Sequence, residues 1–317
     1  MTKRPPDQTI ILLLILLLAA LLRFYRLDAQ SFWNDEGNSA RLAERSVTLI
    51  LEGAAGDIHP PGYYLALHTW RAVWGESEFA LRSFSALCGL SIVALVYALG
   101  RALFDASVGL VAAFLAAINP FQVYYSQEAR MYALLALEAV AATGLLVAGL
   151  RGRRWALGGY ALVAAAGLYT HYAFPFVLLA HNLLVLLWLV REARWPLGLV
   201  QDAPPSLLLR WSAVQALVLL LYLPWLPIAW RQVTGWPVPR ESPALMSALV
   251  EIFRLLTLGR TIPTSAAIGG LAAFAFLVLL SVLPEPEAAG GAASSPLPPS
   301  EGEMLTLTQV EAAERAM

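Results

Sequence analysis

Charge is scarce in this chain. Of 317 residues only 14% are Asp, Glu, Lys or Arg, where a soluble domain carries roughly a quarter. A freely soluble globular class is thereby excluded. The 21 basic and 22 acidic residues nearly cancel. No basic stripe with interleaved aromatics occurs, so nucleic acid is not an expected partner. There is one cysteine, Cys88. It can form no internal disulfide, and its apolar surroundings make it a packing residue. The four histidines, His59, His68, His171 and His181, show no HExxH or similar ligand spacing, so neither a metal nor another cofactor is expected. Dinucleotide-binding glycine fingerprints, Walker loops and solenoid repeats are missing as well.

What fills the chain instead is apolar, with 59% hydrophobic residues and a mean hydropathy of +0.64. The apolar residues fall in long runs, so the expected fold class is an all-α polytopic membrane protein. Lys3 and Arg4 precede the run Thr9–Leu22. A signal peptide would begin this way, but further spans follow, and the run is expected to remain as the first transmembrane helix. The later spans are expected at 83–103, 107–123, 131–150, 155–170, 172–190, 211–229 and 264–283, about eight in all. The pair at 155–190 turns near Thr170-His171-Tyr172.

Between the first span and the second lies a mixed stretch, residues 23–82, in which no window of about 18 residues is apolar enough to cross. Residues 36–52 carry a helical apolar stripe through Ala40, Ala43, Val47, Ile50 and Leu51. Pro60-Pro61 stops the chain, and Pro61 suits the first turn of a second helix reaching Trp74. Tyr63, Tyr64, Trp70 and Trp74 suit a membrane–water boundary. Two short helices along the membrane surface are therefore expected. After Leu283 a Pro/Gly/Ala/Ser-rich tail, 284–317, lacks the apolar surface to fold and reads as disordered. The membrane domain is thus 1–283.

Basic residues orient the chain. With the N-terminus in the cytoplasm, Lys3, Arg4, Arg101, Arg151, Arg153, Arg154, Arg191, Arg194 and Arg210 all fall inside. The long loop 23–82, the segment Tyr124–Tyr132, the turn Thr170–Tyr172 and the stretch from Trp230 to about Arg260 then fall outside. Three polar motifs share that outer side. Asp35-Glu36 sits behind Phe32 and Trp33. It is either an acidic first turn of a helix or a pair in which like charge and partial burial tune one carboxylate toward proton abstraction. His59-Pro60-Pro61 is either an interfacial turn or a pinned donor aimed at a phosphate. Glu128 and Arg130 flank a helix start. They form either an anchoring ion pair or a guanidinium fork matched to phosphate oxygens. Tyr124, Tyr125 and Tyr132 belong first to an aromatic belt, with a sugar contact as the alternative. His171 lies between Tyr169 and Tyr172, and a structural role is its plainer reading.

Taken in order, Asp35-Glu36, His59-Pro60-Pro61 and Tyr125-Ser126-Gln127-Glu128-Ala129-Arg130-Met131-Tyr132 resemble the membrane glycosyltransferases of the C superfamily. The resemblance is to their protein-O-mannosyltransferase and aminoarabinose-transferase-like branch, found in many bacteria. It covers about residues 10–260. It implies a polyprenyl-phosphate-linked sugar as donor and a protein, lipid or glycan acceptor. It also implies a multi-pass protein of the plasma (inner) membrane with its active site extracytoplasmic. Asp35, with Glu36, would be the catalytic acid pair, Asp35 acting as general base in a single inverting displacement. His59 and Arg130 would face the donor phosphate, and Glu128, Tyr63, Tyr132, His171 and Tyr172 would line the substrate site. Members of that branch are usually longer, so a truncated, non-catalytic member is a second reading. A transporter or flippase for a lipid-linked or anionic solute is a third. Glu138 is the one clear acidic residue deep in an expected span, whereas a transporter concentrates such groups near mid-membrane.

Overall fold

The computed structural model describes residues 8–191, 204–235, 244–259 and residue 272. All but the last belong to one compact unit, Met1–Ala267. The expected span 264–283, but for residue 272, and the expected disordered tail 284–317 lie outside the described residues.

All regular structure among the described residues is α-helical. Helix α1 covers Gln8–Phe24. The outer stretch then forms three helices rather than two: α2 Asn34–Ala43, α3 Val47–Gly56 and α4 Gly62–Trp74. The apolar stripe at 36–52 is continuous in sequence, but Ser46 takes an extended backbone (φ −63°, ψ 155°) and restarts the helix at Val47. Helix α5, Glu78–Leu103, opens on Ser77, whose hydroxyl accepts from the Ala80 amide at 3.2 Å. Its 26 residues reach about 39 Å at 1.5 Å per residue.

The expected span 107–123 is broken. Helix α6, Ala106–Ile118, meets α7, Pro120–Ser126, at a bend of 59°. Pro120 supplies no amide hydrogen and pushes Asn119 out of the helical region, to ψ 120°. The Asn119 side chain then caps α7, accepting from the Gln122 amide at 2.9 Å. Helices α8 (Tyr132–Leu150), α9 (Arg154–Thr170) and α10 (Phe174–Arg191) follow, the last two joined at the expected turn. The expected span 211–229 is also broken. Helix α11, Pro204–Tyr222, gives way at Leu223-Pro224-Trp225 to α12, Leu226–Thr234, and the pair bends by 80°. Helix α13, Leu245–Leu258, occupies part of the expected outer loop and packs on α7, where Asn119 donates to the Leu256 carbonyl at 2.9 Å.

Helices α5 and α8 are each long and apolar enough to cross a bilayer, and counting each bent pair as one span gives up to four. Helix α1 and the stretch Phe174–Leu187 of α10 are apolar but shorter. The expected count of eight is therefore not reached among the described residues. Large apolar side chains such as Leu13, Leu17 and Leu21 remain exposed on α1, as a lipid-facing surface requires.

Two apolar clusters hold the unit together. Ile15, Ala19, Val93, Ala113 and Ala117 join α1, α5 and α6. A larger cluster includes Ile50, Leu67, Leu146, Tyr160, Phe174 and Trp225, and joins the surface helices to α8–α12. Arg23 is fully buried where α1 ends and donates to the carbonyls of Ala116 (3.1 Å) and Ala117 (3.0 Å) at the end of α6. The last carbonyls of a helix have no partner of their own, and a cation there satisfies them. A side chain on Gly89 would strike the Ser126 hydroxyl at 2.0 Å and Arg23 Nε at 2.8 Å. That small residue lets α5 approach both.

Candidate functional site

Glu36 and Asp35 are neighbours with opposite surroundings. Both lie in the first turn of α2, where the helix dipole favours carboxylates. The Glu36 side chain is 1% exposed. It accepts from Arg82 Nε (2.9 Å) and Nη2 (2.7 Å), from the Ala129 amide (2.7 Å) and from the Trp33 amide (3.3 Å). Every strong acceptor direction of this carboxylate is used. Arg82 donates further to the carbonyls of Leu27, Gln30 and Ser31, and its guanidinium lies 5.1 Å above the Phe32 ring. One ion pair therefore ties α2, α5, the turn at 27–31 and the 127–131 segment. Asp35, by contrast, is 39% exposed, and its one ion-pair partner is Arg130 Nη2 at 3.7 Å.

Arg130 is the centre of a second group. Its side chain is 5% exposed. Nη1 donates to the Asp35 carbonyl and the Ser39 hydroxyl, both at 3.3 Å, and Nη2 lies 3.4 Å from His59 Nε2. Arg130 Nε is buried with no hydrogen-bond partner. A guanidinium can only donate, so His59 Nε2 must be the acceptor and the proton sits on Nδ1. His171 lies 5.7 Å from His59, ring to ring, and 6.0 Å from Tyr132. The Ala173 amide donates to His171 Nδ1 at 3.0 Å, which leaves the proton on Nε2. Both imidazoles are thus neutral. Burial lowers the pKa of His59, and the nearby Arg130 charge acts in the same direction against Asp57 and Asp35. Burial, then His59 and Arg130, pushes His171 down to about 4.

The sequence-derived residues divide accordingly. Asp35, His59, Arg130, Tyr132 and His171 are brought together. Tyr132 packs edge-on against Tyr125 and lies 5.8 Å from the Arg130 guanidinium. Glu128 is 8% exposed and lines a different space. That space is a cavity of about 720 Å³ bordered also by Trp33, Gln30, Glu36, Arg82 and Tyr124. Arg130, two residues on, does not border that cavity, and Glu36 grips Ala129 between them. Tyr63 is wholly enclosed against Tyr64 and Phe84 and presents no surface to a ligand. The Tyr172 hydroxyl is occupied: it donates to Gln232 Oε1 and accepts from Trp225 Nε1 at 3.3 Å. His68 and His181 are structural. His68 Nδ1 meets the Ala43 carbonyl at 2.9 Å, and His181 bridges Thr143 and Tyr160.

Local folding explains the convergence. Pro60 and Pro61 end α3's exit loop and start α4 at Gly62. A side chain on Gly62 would lie 2.7 Å from the Tyr169 carbonyl oxygen. The bare backbone therefore lets α4 begin directly against the end of α9, beside His171. Three residues at this site carried no motif signal: Arg82, Ser39 and Gln232. Arg82 had one available cue, since an arginine at the mouth of an apolar run is unfavourable unless paired.

A multi-pass helical membrane protein with an acid on a surface helix of its first loop, met by a guanidinium from the segment between α7 and α8, has the architecture of the C-superfamily glycosyltransferases. A family model described as dolichyl-phosphate-mannose-protein mannosyltransferase matches residues 58–228, just over half of the chain. The chain belongs to that family. Its fold is similar to the archaeal oligosaccharyltransferase AglB from Archaeoglobus fulgidus, solved with an inhibitory peptide and a dolichol-phosphate. The identity is 14% and the TM-score 0.54, over 87% of this chain and 37% of that one. A second structure, the Archaeoglobus fulgidus oligosaccharyltransferase in its apo form, is 16% identical over 90% of this chain and 40% of that one, with a TM-score of 0.45. The chain thus spans well under half the length of these structures. No curated protein matches it in sequence.

Proposed function

We propose that the protein transfers one sugar from a polyprenyl-phosphate donor to an acceptor hydroxyl, at the extracytoplasmic face of the plasma membrane. The observation that carries this is Arg130: a buried guanidinium with an unspent donor, held beside an accessible carboxylate and two imidazoles. A buried cation so placed fits a phosphate. Family membership supplies the prior for a lipid-linked donor.

In the reaction we infer, Asp35 takes the proton of the acceptor hydroxyl as its oxygen bonds to the anomeric carbon. The bond from that carbon to the phosphate oxygen breaks, and polyprenyl phosphate leaves with the electron pair. The phosphate passes from one negative charge to two. Arg130, with N–H groups from the imidazoles, would stabilise that gain by roughly 2–4 kcal/mol per donor, as oxyanion donors do. One displacement inverts the sugar carbon. Glu36 positions rather than reacts, because its oxygens are already bound. The positive-inside pattern supports an outward-facing site.

The test is incubation of purified protein with a panel of polyprenyl-phosphate monosaccharides, measuring release of polyprenyl phosphate. Release by the wild type and none by Asp35→Asn is expected. Equal release by both removes Asp35 as the base.

A further inference from the structure

Gln232 lies on α12, in a stretch with no motif, and is 8% exposed. Its Nε2 donates to the carbonyls of Ala54 (2.7 Å), Ala55 (3.4 Å) and Asp57. Those are the final carbonyls of α3 and the first of the loop that carries His59. Carbonyls can only accept, so the amide orientation is fixed by chemistry. Its Oε1 accepts from the Tyr172 hydroxyl, one residue beyond His171. Trp225 holds the same hydroxyl from the bend between α11 and α12. Arg231 adds a bond to the Ala55 carbonyl at 3.1 Å. A single amide thus grips both segments that supply the imidazoles.

We propose that Gln232 is a positioning residue that sets the spacing of His59 and His171, and that α12 acts as the strap holding the donor-phosphate site in register. The inference rests on the phosphate site proposed above. The mechanism is preorganisation: both imidazoles are confined before the ligand arrives, so less freedom is lost on binding. The amide suits the task because it donates at one end and accepts at the other. No residue of one polarity can replace it. Gln232→Glu keeps an acceptor for Tyr172 but sets a carboxylate against carbonyls. Tyr172→Phe keeps the carbonyl bonds and loses the other end.

The experiment uses the full-length protein in nanodiscs with isotope-labelled histidine, and follows each imidazole through a pH titration. Binding of farnesyl phosphate is measured at one neutral pH. In Gln232→Leu, the His59 and His171 titrations should rise toward the ordinary value of about 6.5, while His68 and His181 stay where they are. Farnesyl phosphate should bind roughly tenfold more weakly, as expected for lost preorganisation. Tyr172→Phe, which conserves volume, should shift the same two histidines and should add nothing in the Gln232→Leu background. It also stands in if Gln232→Leu does not fold. Unmoved titrations of His59 and His171, or additive effects of the two substitutions, overturn the proposal. Wild-type protein that ignores farnesyl phosphate while the titrations shift as described sinks the phosphate site and leaves the strap standing.

Discussion

Replacing Glu36 by Gln keeps the side-chain shape and removes the charge. In the wild type this 1% exposed carboxylate faces two Arg82 nitrogens at 2.9 and 2.7 Å and the Ala129 amide at 2.7 Å. The amide would leave Arg82 buried without a counter-charge and would set one NH₂ against other donors. Breaking a buried pair from one side costs about 3–5 kcal/mol. Arg82 keeps its three carbonyl acceptors, so the lower end, about 3 kcal/mol, applies. That is roughly a hundredfold in the unfolding equilibrium. Asp35→Asn loosens a longer pair, 3.7 Å, whose carboxylate is 39% exposed, and Arg130 keeps the Asp35 carbonyl and the Ser39 hydroxyl as acceptors, so its cost should be smaller than that of Glu36→Gln. The assay is reversible unfolding in mixed micelles of mild detergent and dodecyl sulfate, run beside sugar transfer. Glu36→Gln should lose stability, and activity with it. Asp35→Asn should lose less stability than Glu36→Gln and be inactive. A Glu36→Gln protein of wild-type stability with no transfer would make Glu36 the reacting acid and refute the division of roles.

Gly62→Ala should be destabilised by about 1–3 kcal/mol, the range for overpacking, because its new carbon meets a backbone carbonyl at 2.7 Å. Gly144→Ala, with nothing within 4 Å, should not be, and thermal unfolding separates the two. Arg130→Lys keeps a charge but loses the fork, and should lower kcat/KM by at least about a hundredfold in a transfer assay. Acid should act on the site through His171. Its folded-state pKa of about 4 lies below the ordinary value of 6.5, so the unfolded chain binds more protons between them. Stability should therefore fall as pH drops from about 6.5 toward 4. Donor phosphodiester binding should tighten over the same window, because an anion favours the protonated ring, and His171→Gln should flatten both profiles in titrations of unfolding and of binding. A Cys88→Ser protein carrying Glu52→Cys should be labelled by a membrane-impermeant thiol reagent from outside intact cells; labelling only after lysis would reverse the orientation.

Much of the site was legible in the sequence because its chemistry is carried by side chains in short motifs. Asp35, His59 and Arg130 are polar residues in an apolar chain, and positive-inside counting places them on one face. The convergence of His171 with them was less accessible, since it depends on Gly62 allowing α4 against α9. Arg82 and Gln232 were missed for a related reason. Six of the bonds they donate go to backbone carbonyls of Leu27, Gln30, Ser31, Ala54, Ala55 and Asp57, and sequence does not show which carbonyls a fold leaves unpaired. The broken spans had readable causes in Pro120 and Pro224, yet hydropathy averages over a single proline. Adjacent acids were indistinguishable as letters. Burial of Glu36 against Arg82, decided by tertiary packing, is what separates them.

Arg130, His59 and His171 should surround a lipid-borne phosphate. A polyprenyl phosphate bearing a photoreactive group beside the phosphate tests it directly, with adducts mapped by peptide mass. Adducts are expected in peptides holding His59, Arg130 or His171, and should be lost in Arg130→Ala. Adducts confined to the far ends of α5 and α6, near Leu103 and Ala106, would contradict it.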